Sequence, residues 1–273
     1  VRHCIVIPGL VNAHTHVAMC IFRGAAEDLP LHDWLEKRIW PMESKSTPKD
    51  IEIGALVGAY EALLSGTTTL NSMYFYSEEG SEANAFANAG IRAVVGHGFF
   101  ERTWQEGLKL TLAMAKRWHG AENGRIRVSV SPHAPYSTGP RAYQEAHRLM
   151  LQLNDELGEK GRVLLHTHVA ESPGEARLVR DNFKVDFEGG VVNYLEELDV
   201  LSQNMIASHA IHLNDEEISL LKKNEVGIAL NPVSNLKVGM GEAPYVRLRG
   251  AGLHIGLATD SATSNNTLDM FET

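Results

Sequence analysis

Short apolar runs rich in valine and isoleucine alternate with longer stretches of mixed polarity along this chain. Continuous apolar runs of this kind are typical of strands that are buried on both faces, as in a parallel sheet. The runs end near His16, Asn71, His97, His133, His168, His209, Leu230 and Asp260. The pattern therefore predicts a set of short, buried, parallel strands.

The stretches between these runs carry helix signals. Pro48 and Asp50 suit the first turn of a helix, because proline fits its first position and an acidic side chain favours the positive end of the helix dipole. Residues 141–156 are amphipathic, and Asn214 with Glu217 has the pattern of a capping box. No Gly/Ser-rich linker or low-complexity tract divides the chain.

This alternation of strands and helices predicts an α/β protein with a (β/α)8 barrel. Polar residues follow several of the apolar runs, and the active sites of such barrels lie at those strand ends. The chain begins only a few residues before the first strand and ends at Thr273, where the eighth helix should start. We therefore expect residues 1–273 to form one barrel domain that is truncated at both ends and lacks helix 8.

Two histidine pairs stand at strand ends. Residues two apart on a strand point to one face, so His14 and His16 can converge on one point. Two inward-facing imidazoles without a shared partner are hard to satisfy, which favours a metal ion over a pair of hydrogen-bonded core histidines. His166 and His168 repeat the spacing. Because His168 is nearer the strand end, we expect it to be a ligand and His166 to be a structural support.

Three further residues lie at the same end of the predicted barrel. Glu171 follows the fifth strand and is either a proton donor and acceptor facing a substrate or a solvated loop carboxylate. His209 ends the sixth strand and could be a further ligand, a substrate contact or a core histidine. Asp260 ends the eighth, where a buried carboxylate needs a cation or several hydrogen-bond donors. Imidazoles plus a carboxylate suit a divalent transition metal, so we interpret the chain as a metal-dependent hydrolase.

Composition narrows the choice of partners and compartment. The chain has 273 residues, 44% of them hydrophobic, and a net charge of -9 without a Lys/Arg run, so we expect no nucleic-acid partner. No apolar run approaches the ~18 residues of a membrane span, so we expect no membrane partner. Cys4 and Cys20 are the only cysteines, which fits reduced thiols in the cytoplasm.

Seven short motifs, spread over essentially the whole chain, carry a family resemblance. They are residues 8–16 (PGLVNAHTH), 22–30 (FRGAAEDLP), 40–43 (WPME), 131–136 (SPHAPY), 168–171 (HVAE), 231–237 (NPVSNLK) and 259–260 (TD). Together they resemble the amidohydrolase superfamily. More narrowly, Glu43, His133 and residues 26–30 resemble its deaminases that act on S-adenosylhomocysteine, 5'-methylthioadenosine and 5'-deoxyadenosine.

The resemblance implies one divalent metal ion, usually Zn2+ although Fe2+ occurs in relatives. Its ligands would be His14, His16, His168 and Asp260. Relatives with two metals carry a modified lysine at the end of the fourth strand, and no lysine stands there in this chain, so a mononuclear site is expected. Relatives usually add a small β-sandwich that is built from both chain ends, and a homo-oligomer is possible.

The same resemblance implies three substrate contacts. Glu43 would hold the ribose hydroxyls of a nucleoside, and His133 would contact the sugar or the 5' substituent. Ser264 would touch the purine ring or support the site.

The implied reaction is hydrolytic deamination of an adenine nucleoside to the inosine-type product and ammonia. Asp260 would accept a proton from the attacking water, His209 would orient that water, and Glu171 would protonate a ring nitrogen. A rival within the superfamily is a hydrolase of another heterocycle, such as a guanine deaminase or a triazine chlorohydrolase. A non-catalytic barrel protein would be expected to lack Glu171 or Asp260, and this chain has both.

Two departures from the family pattern bear on the substrate. Many relatives have histidine before the Asn-Pro of the seventh strand motif, where this chain has Leu230. Some deaminases of the homocysteine adduct carry an arginine near the end of the third strand. This chain has His97 there and Arg102 a few residues on. We therefore expect methylthioadenosine or 5'-deoxyadenosine to be preferred over S-adenosylhomocysteine.

Overall fold

Eight parallel strands form a single sheet that curls into a nearly closed barrel. The computed structural model describes residues 4–27 and 29–273, so Asp28 of the 22–30 motif lies outside the described residues. The strands are β1 (Leu10–Thr15), β2 (Thr67–Tyr74), β3 (Arg92–Phe99), β4 (Ile126–Pro132), β5 (Leu164–Val169), β6 (Met205–His209), β7 (Gly227–Leu230) and β8 (His254–Leu257). They are paired in chain order, which confirms the predicted (β/α)8 barrel.

Helices and short turns occupy the connections. The helices are α1 (Leu31–Trp34), α2 (Trp40–Glu43), α3 (Pro48–Leu64), α4 (Glu82–Ala89), α5 (Trp104–Trp118), α6 (Ala121–Gly124), α7 (Pro140–Leu157), α8 (Glu175–Phe183), α9 (Val191–Glu197), α10 (Asp215–Lys223), α11 (Pro232–Lys237), α12 (Tyr245–Gly250) and α13 (Ala262–Asn265). A π-helical turn, Leu35–Ile39, joins α1 to α2, and 3-10 turns cover Val17–Phe22 and Gly158–Lys160. Within the described part of the chain, no helix has both the length and the apolar composition of a membrane span.

The predicted helix starts are confirmed. Pro48 is the first residue of α3, and the Thr47 hydroxyl at its N-cap accepts a hydrogen bond from the Asp50 N–H. At α10, Asn214 accepts from the Glu217 N–H at 2.9 Å, while the Glu217 carboxylate accepts from the Asn214 N–H at 3.1 Å. Each reciprocal pair satisfies backbone donors that a helix start otherwise leaves free.

The barrel closes between its first and last strands. Thr15 pairs with Asp260 in a parallel bridge, and the Asp260 N–H donates to the His14 carbonyl at 3.1 Å. Below this bridge, the Asn12 amide donates to the Thr259 hydroxyl at 2.7 Å and accepts from the Thr259 N–H at 3.1 Å. These buried bonds place the residues that follow β1 beside those that follow β8.

Strand β2 differs from the prediction. It continues through Met73 to Tyr74, so Asn71 lies inside the strand and does not mark its end. The Asn71 amide donates to the Ala13 carbonyl at 2.9 Å, next to an irregularity in the pairing of β1 with β2. This side chain therefore satisfies a backbone carbonyl that the ladder leaves free, which explains a polar residue at a buried strand position.

Helix α3 packs closely on the Val17–Phe22 turn that follows β1. A Cβ atom at Gly54 would lie 2.3 Å from the Ala18 carbonyl oxygen, and one at Gly58 would lie 2.6 Å from the Val17 side chain. Only glycine permits this approach without displacement of the turn. The turn begins directly after His16, so the contact fixes the backbone that carries that histidine.

Candidate active site

The polar residues predicted at the strand ends lie together at the mouth of the barrel. A cavity of about 670 Å³ opens there. Its lining includes the six residues His16, Glu43, His168, Glu171, His209 and Asp260, together with His133 and Ser264. Strand order accounts for this, because all eight parallel strands end on the same face.

Three imidazoles and one carboxylate converge at the bottom of this cavity. Asp260 Oδ1 lies 3.4 Å from His14 Nε2 and 3.3 Å from His16 Nε2. His168 Nε2 lies 3.2 Å from His16 Nε2. The donor atoms of His14, His16 and Asp260 all lie within 4.8 Å of one another, as do those of His14, His168 and His209. The predicted ligand set is thus assembled, and His209 is near enough to join it.

Backbone carbonyls fix which nitrogen of each ring faces the centre. His16 Nδ1 donates to the Met73 carbonyl at 2.6 Å, and His168 Nδ1 donates to the His133 carbonyl at 2.5 Å. Their Nε2 atoms therefore face each other. The Nε2 atoms of His14 and His209 are buried without a hydrogen-bond partner among the described residues. Converging Nε2 atoms, two of them unpartnered, fit a divalent transition metal between them.

The protonation of the cluster agrees with this fit. Burial lowers the pKa of His14 to about 3 and that of His168 well below its ordinary value, so both imidazoles are neutral, as metal ligands must be. Burial also acts to lower the pKa of His16, but its hydrogen bond to Asp260 and the charge of that carboxylate raise it to about 9. A metal ion would replace the proton that this raised pKa assigns to His16.

His166 lies behind the cluster, where it contacts His14. Its Nε2 is 2.8 Å from His14 Nδ1 and 3.3 Å from the Ser208 hydroxyl, and its side chain is buried. Donation from His14 Nδ1 to His166 leaves the His14 Nε2 lone pair directed at the centre.

Two hydroxyls hold the outer oxygen of Asp260. Its Oδ2 accepts from the Ser234 hydroxyl at 2.5 Å and from the Ser264 hydroxyl at 2.8 Å. Burial acts to raise the pKa of Asp260, but the contacts of its carboxylate with His14 and His16 outweigh this effect and hold the pKa well below its usual range. Asp260 is therefore an anchored carboxylate with one oxygen left for chemistry.

Glu171 and His209 form the second polar pair in the cavity. Glu171 Oε1 lies 3.6 Å from His209 Nε2, and His209 Nδ1 lies 2.8 Å from Asn235 Oδ1. Burial raises the pKa of Glu171. A raised pKa makes the buried carboxyl easier to protonate than an ordinary glutamate, which suits general acid–base chemistry.

Glu43 and His133 lie on the outer wall. The Tyr74 hydroxyl donates to Glu43 Oε1 at 2.9 Å, and burial raises the pKa of Glu43 to about 7. His133 Nδ1 lies 2.8 Å from the Ser137 hydroxyl, and burial lowers its pKa to about 3. Among the described residues, each of these side chains has one hydrogen-bond partner and keeps its second polar atom free.

Sequence reasoning missed the supporting residues Ser234, Asn235 and Glu175. The first two belong to the 231–237 motif, which carries the family resemblance and directly follows Leu230. Polar support from this motif thus comes from the turn after Asn231, at the start of α11.

His97 does not belong to the cavity lining. Its Nδ1 accepts a hydrogen bond from the Tyr76 N–H at 2.9 Å.

The fold and the site define a (β/α)8 barrel with a histidine–aspartate centre at its mouth, an arrangement suited to metal-dependent hydrolysis. Comparison with known families agrees. The sequence profile of the amidohydrolase family matches residues 5–273, and the chain belongs to that family.

Curated relatives are more specific. The chain is 39% identical over 271 residues to a 5-methylthioadenosine/S-adenosylhomocysteine deaminase of Carboxydothermus hydrogenoformans, covering 98% of this chain and 59% of the relative. It is 38% identical over 272 residues to a 5'-deoxyadenosine deaminase of Methanothermobacter thermautotrophicus, covering 98% and 60%. The chain thus spans about three fifths of the length of these relatives.

A solved structure supports the same placement. A crystal structure of an adenosine deaminase from Xanthomonas campestris, with bound zinc, superimposes with a TM-score of 0.82 at 30% identity. The match covers 97% of this chain and 58% of that one.

Proposed function

We propose that the protein hydrolytically deaminates an adenine nucleoside, with 5'-methylthioadenosine, 5'-deoxyadenosine and S-adenosylhomocysteine as the candidate substrates. The observation that carries the proposal is the convergence of His14, His16, His168 and Asp260 at the barrel mouth, where the last three line one cavity with Glu171. The names of the relatives support the choice of an adenine nucleoside.

His14, His16, His168 and Asp260 would hold one metal ion, and we assign zinc, with Fe2+ as the alternative. Nitrogen donors with one carboxylate suit either ion. The bound ion would supply Lewis acidity, which makes water a stronger acid at neutral pH.

The protein residues divide the proton transfers. Asp260 Oδ1 accepts a proton from the attacking water, while His209 orients that water through its unpartnered Nε2. Glu171 delivers a proton to a ring nitrogen, so negative charge does not build up on the purine. Water oxygen bonds to C6 and the C6–N bond breaks. Asp260 returns its proton to the leaving amine, and ammonia departs. The C6 hydroxyl proton passes to Glu171, which leaves a C6 carbonyl on the product and restores the Glu171 carboxyl group.

The outer wall of the cavity would bind the sugar. The free oxygen of Glu43 accepts hydrogen bonds from the ribose hydroxyls, and His133 contacts the sugar or the 5' substituent. Ser264 acts through Asp260, to which it is bonded. Strand β3 has no arginine at its carboxyl end that could pair with the carboxylate of the homocysteine adduct. Arg102 is exposed in a second groove, outside the cavity lining. We therefore place methylthioadenosine and 5'-deoxyadenosine ahead of S-adenosylhomocysteine.

The test combines elemental analysis of the purified protein with a substrate panel read by ammonia release. We expect one bound transition metal per chain and turnover of the adenine nucleosides. His16→Ala should lose the metal, whereas Glu171→Gln should keep the metal and lose most turnover, by about 10²–10⁴-fold.

The panel also includes guanine and triazines. Turnover of these alone would replace the proposal with the rival heterocycle hydrolase. A kcat/KM that is clearly highest for S-adenosylhomocysteine would overturn the substrate ranking. Near-normal kcat in Glu171→Gln would remove Glu171 from the mechanism.

We also propose the cytoplasm as the working compartment. Cys4 and Cys20 are both free thiols in the structure. Labelling of both thiols in protein isolated directly from cells would support a reducing compartment, and an intermolecular disulfide would contradict it.

A further inference from the structure

We infer that Glu175 is a positioning residue for Glu171: its buried carboxylate holds the backbone of the turn that carries the proton donor. The inference rests on the proposed function, because it assigns Glu175 a role only through Glu171. The sequence gives little sign of it, since an acidic residue in the first turn of a helix is ordinary.

The contact between the two residues is direct. Glu175 is the first residue of α8, and its Oε2 accepts a hydrogen bond from the Glu171 N–H at 2.8 Å. Glu175 is only 3% exposed. Its other oxygen, Oε1, is buried without a hydrogen-bond partner among the described residues.

The turn that Glu175 holds is strained and is fastened on its other side as well. Ala170, between β5 and Glu171, has a φ of 53°, a left-handed conformation that costs a non-glycine residue free energy. Its carbonyl accepts from the N–H groups of Ile211 and His212, both at 3.0 Å. Glu175 supplies the second fastening, so its loss would let the Glu171 backbone relax.

A gain in protein stability does not explain why Glu175 is buried at this position. Burial raises the pKa of Glu175 to about 8, with the charge of Glu171 adding to the effect. A buried carboxyl with one unpartnered oxygen costs free energy. Glu217 is a useful contrast. It is equally buried, but its oxygens accept from the N–H groups of Val192 and Asn214, both at 3.1 Å, and it lies away from the cavity.

The experiment is a double-mutant cycle on the metal-loaded protein. Glu175→Ala should lower kcat by about 10²-fold, because a misplacement of about 1 Å costs this much. KM and metal content should stay the same, since Glu171 neither binds the sugar nor holds the ion. Glu175→Gln keeps an oxygen that can accept from the Glu171 N–H and should restore most of kcat. In a Glu171→Gln background, Glu175→Ala should lower kcat no further.

Glu217→Ala is the matched control, because it also removes a buried glutamate that accepts backbone N–H bonds. It should lower the unfolding midpoint while kcat stays near the parent value. An equal loss of kcat from Glu175→Ala in both backgrounds would overturn the inference, as would unchanged kcat in Glu175→Ala while Glu171→Gln is inactive. If Glu171→Gln itself keeps full turnover, the proposed function fails first, and the two failures are thus distinguishable.

Discussion

Glu43 should give the reaction a pH dependence that can be assigned to one side chain. Burial raises the pKa of this carboxyl from 4.5 to about 7. Glu43 can accept hydrogen bonds freely at both oxygens only when it is ionised. One oxygen, Oε1, already accepts from the Tyr74 hydroxyl, so the other is left for the nucleoside. A nucleoside whose ribose hydroxyls both donate to Glu43 therefore needs it ionised. Binding should weaken as the pH falls through 7, because the proton then occupies the free oxygen.

The size of the effect follows from the pKa. At pH 6 only about one Glu43 in ten is ionised, so kcat/KM should be roughly a tenth of its plateau. Tyr74→Phe removes the hydrogen bond that favours the ionised form. Since that bond contributes about 1.5 kcal/mol, its loss should move the midpoint up by about one pH unit. Glu43→Gln should abolish this limb of the profile and lower kcat/KM on the plateau.

The assay is ammonia release at low nucleoside concentration, from pH 5 to 9, for the parent, Glu43→Gln, Tyr74→Phe and Glu36→Gln. Glu36 is a matched control, because it is an exposed glutamate on the same helical segment. Its substitution should leave the profile intact. Survival of the acid limb in Glu43→Gln would refute the reasoning and assign the titration to another group.

The remaining predictions concern hydroxyl groups. Ser264→Ala and Ser234→Ala each remove one donor to Asp260 Oδ2 and should lower kcat by about tenfold, since a hydrogen bond to a charged group contributes about 1.5–3 kcal/mol. Elemental analysis should find the metal retained, and an unchanged kcat in the double variant would contradict this role. Tyr143→Phe removes a buried bond of 2.7 Å to Thr167 and should reduce the free energy of unfolding by about 1 kcal/mol in a urea titration, with kcat unchanged. A fall in kcat with no change in stability would be the opposite of this expectation.

Much of the barrel was predictable because short stretches of sequence are enough to identify its strands. Apolar runs alternate with helix starts such as Pro48 and Asn214, and these signals need no knowledge of distant residues. The histidines at the ends of β1 and β5 were predictable for the same reason. The end of β2 was not. A polar residue such as Asn71 indicates the end of a buried strand. In the structure its side-chain amide donates to the Ala13 carbonyl of the neighbouring strand, and this contact exists only in the assembled sheet.

The residues that support the site could not be predicted, because their partners are remote in sequence. Ser234 lies 26 residues from Asp260, and Asn235 lies 26 residues from His209. A serine or an asparagine at a helix start is explained locally by capping, so nothing in the chain distinguishes these two from ordinary caps. Glu175 could not be predicted for a different reason: its partner Glu171 is near in sequence, but an acidic residue in the first turn of a helix is ordinary.

Closure of the barrel by its first and last strands has a consequence for biosynthesis. Asn12 and Thr259, which join those strands, are 247 residues apart. A ribosome adding about 5–20 residues per second needs roughly 10–50 s to cover that distance. During this interval the nascent polypeptide carries His14 and His16 with no acidic partner from the far end. The four side chains His14, His16, His168 and Asp260 can therefore meet only after Asp260 has been synthesised.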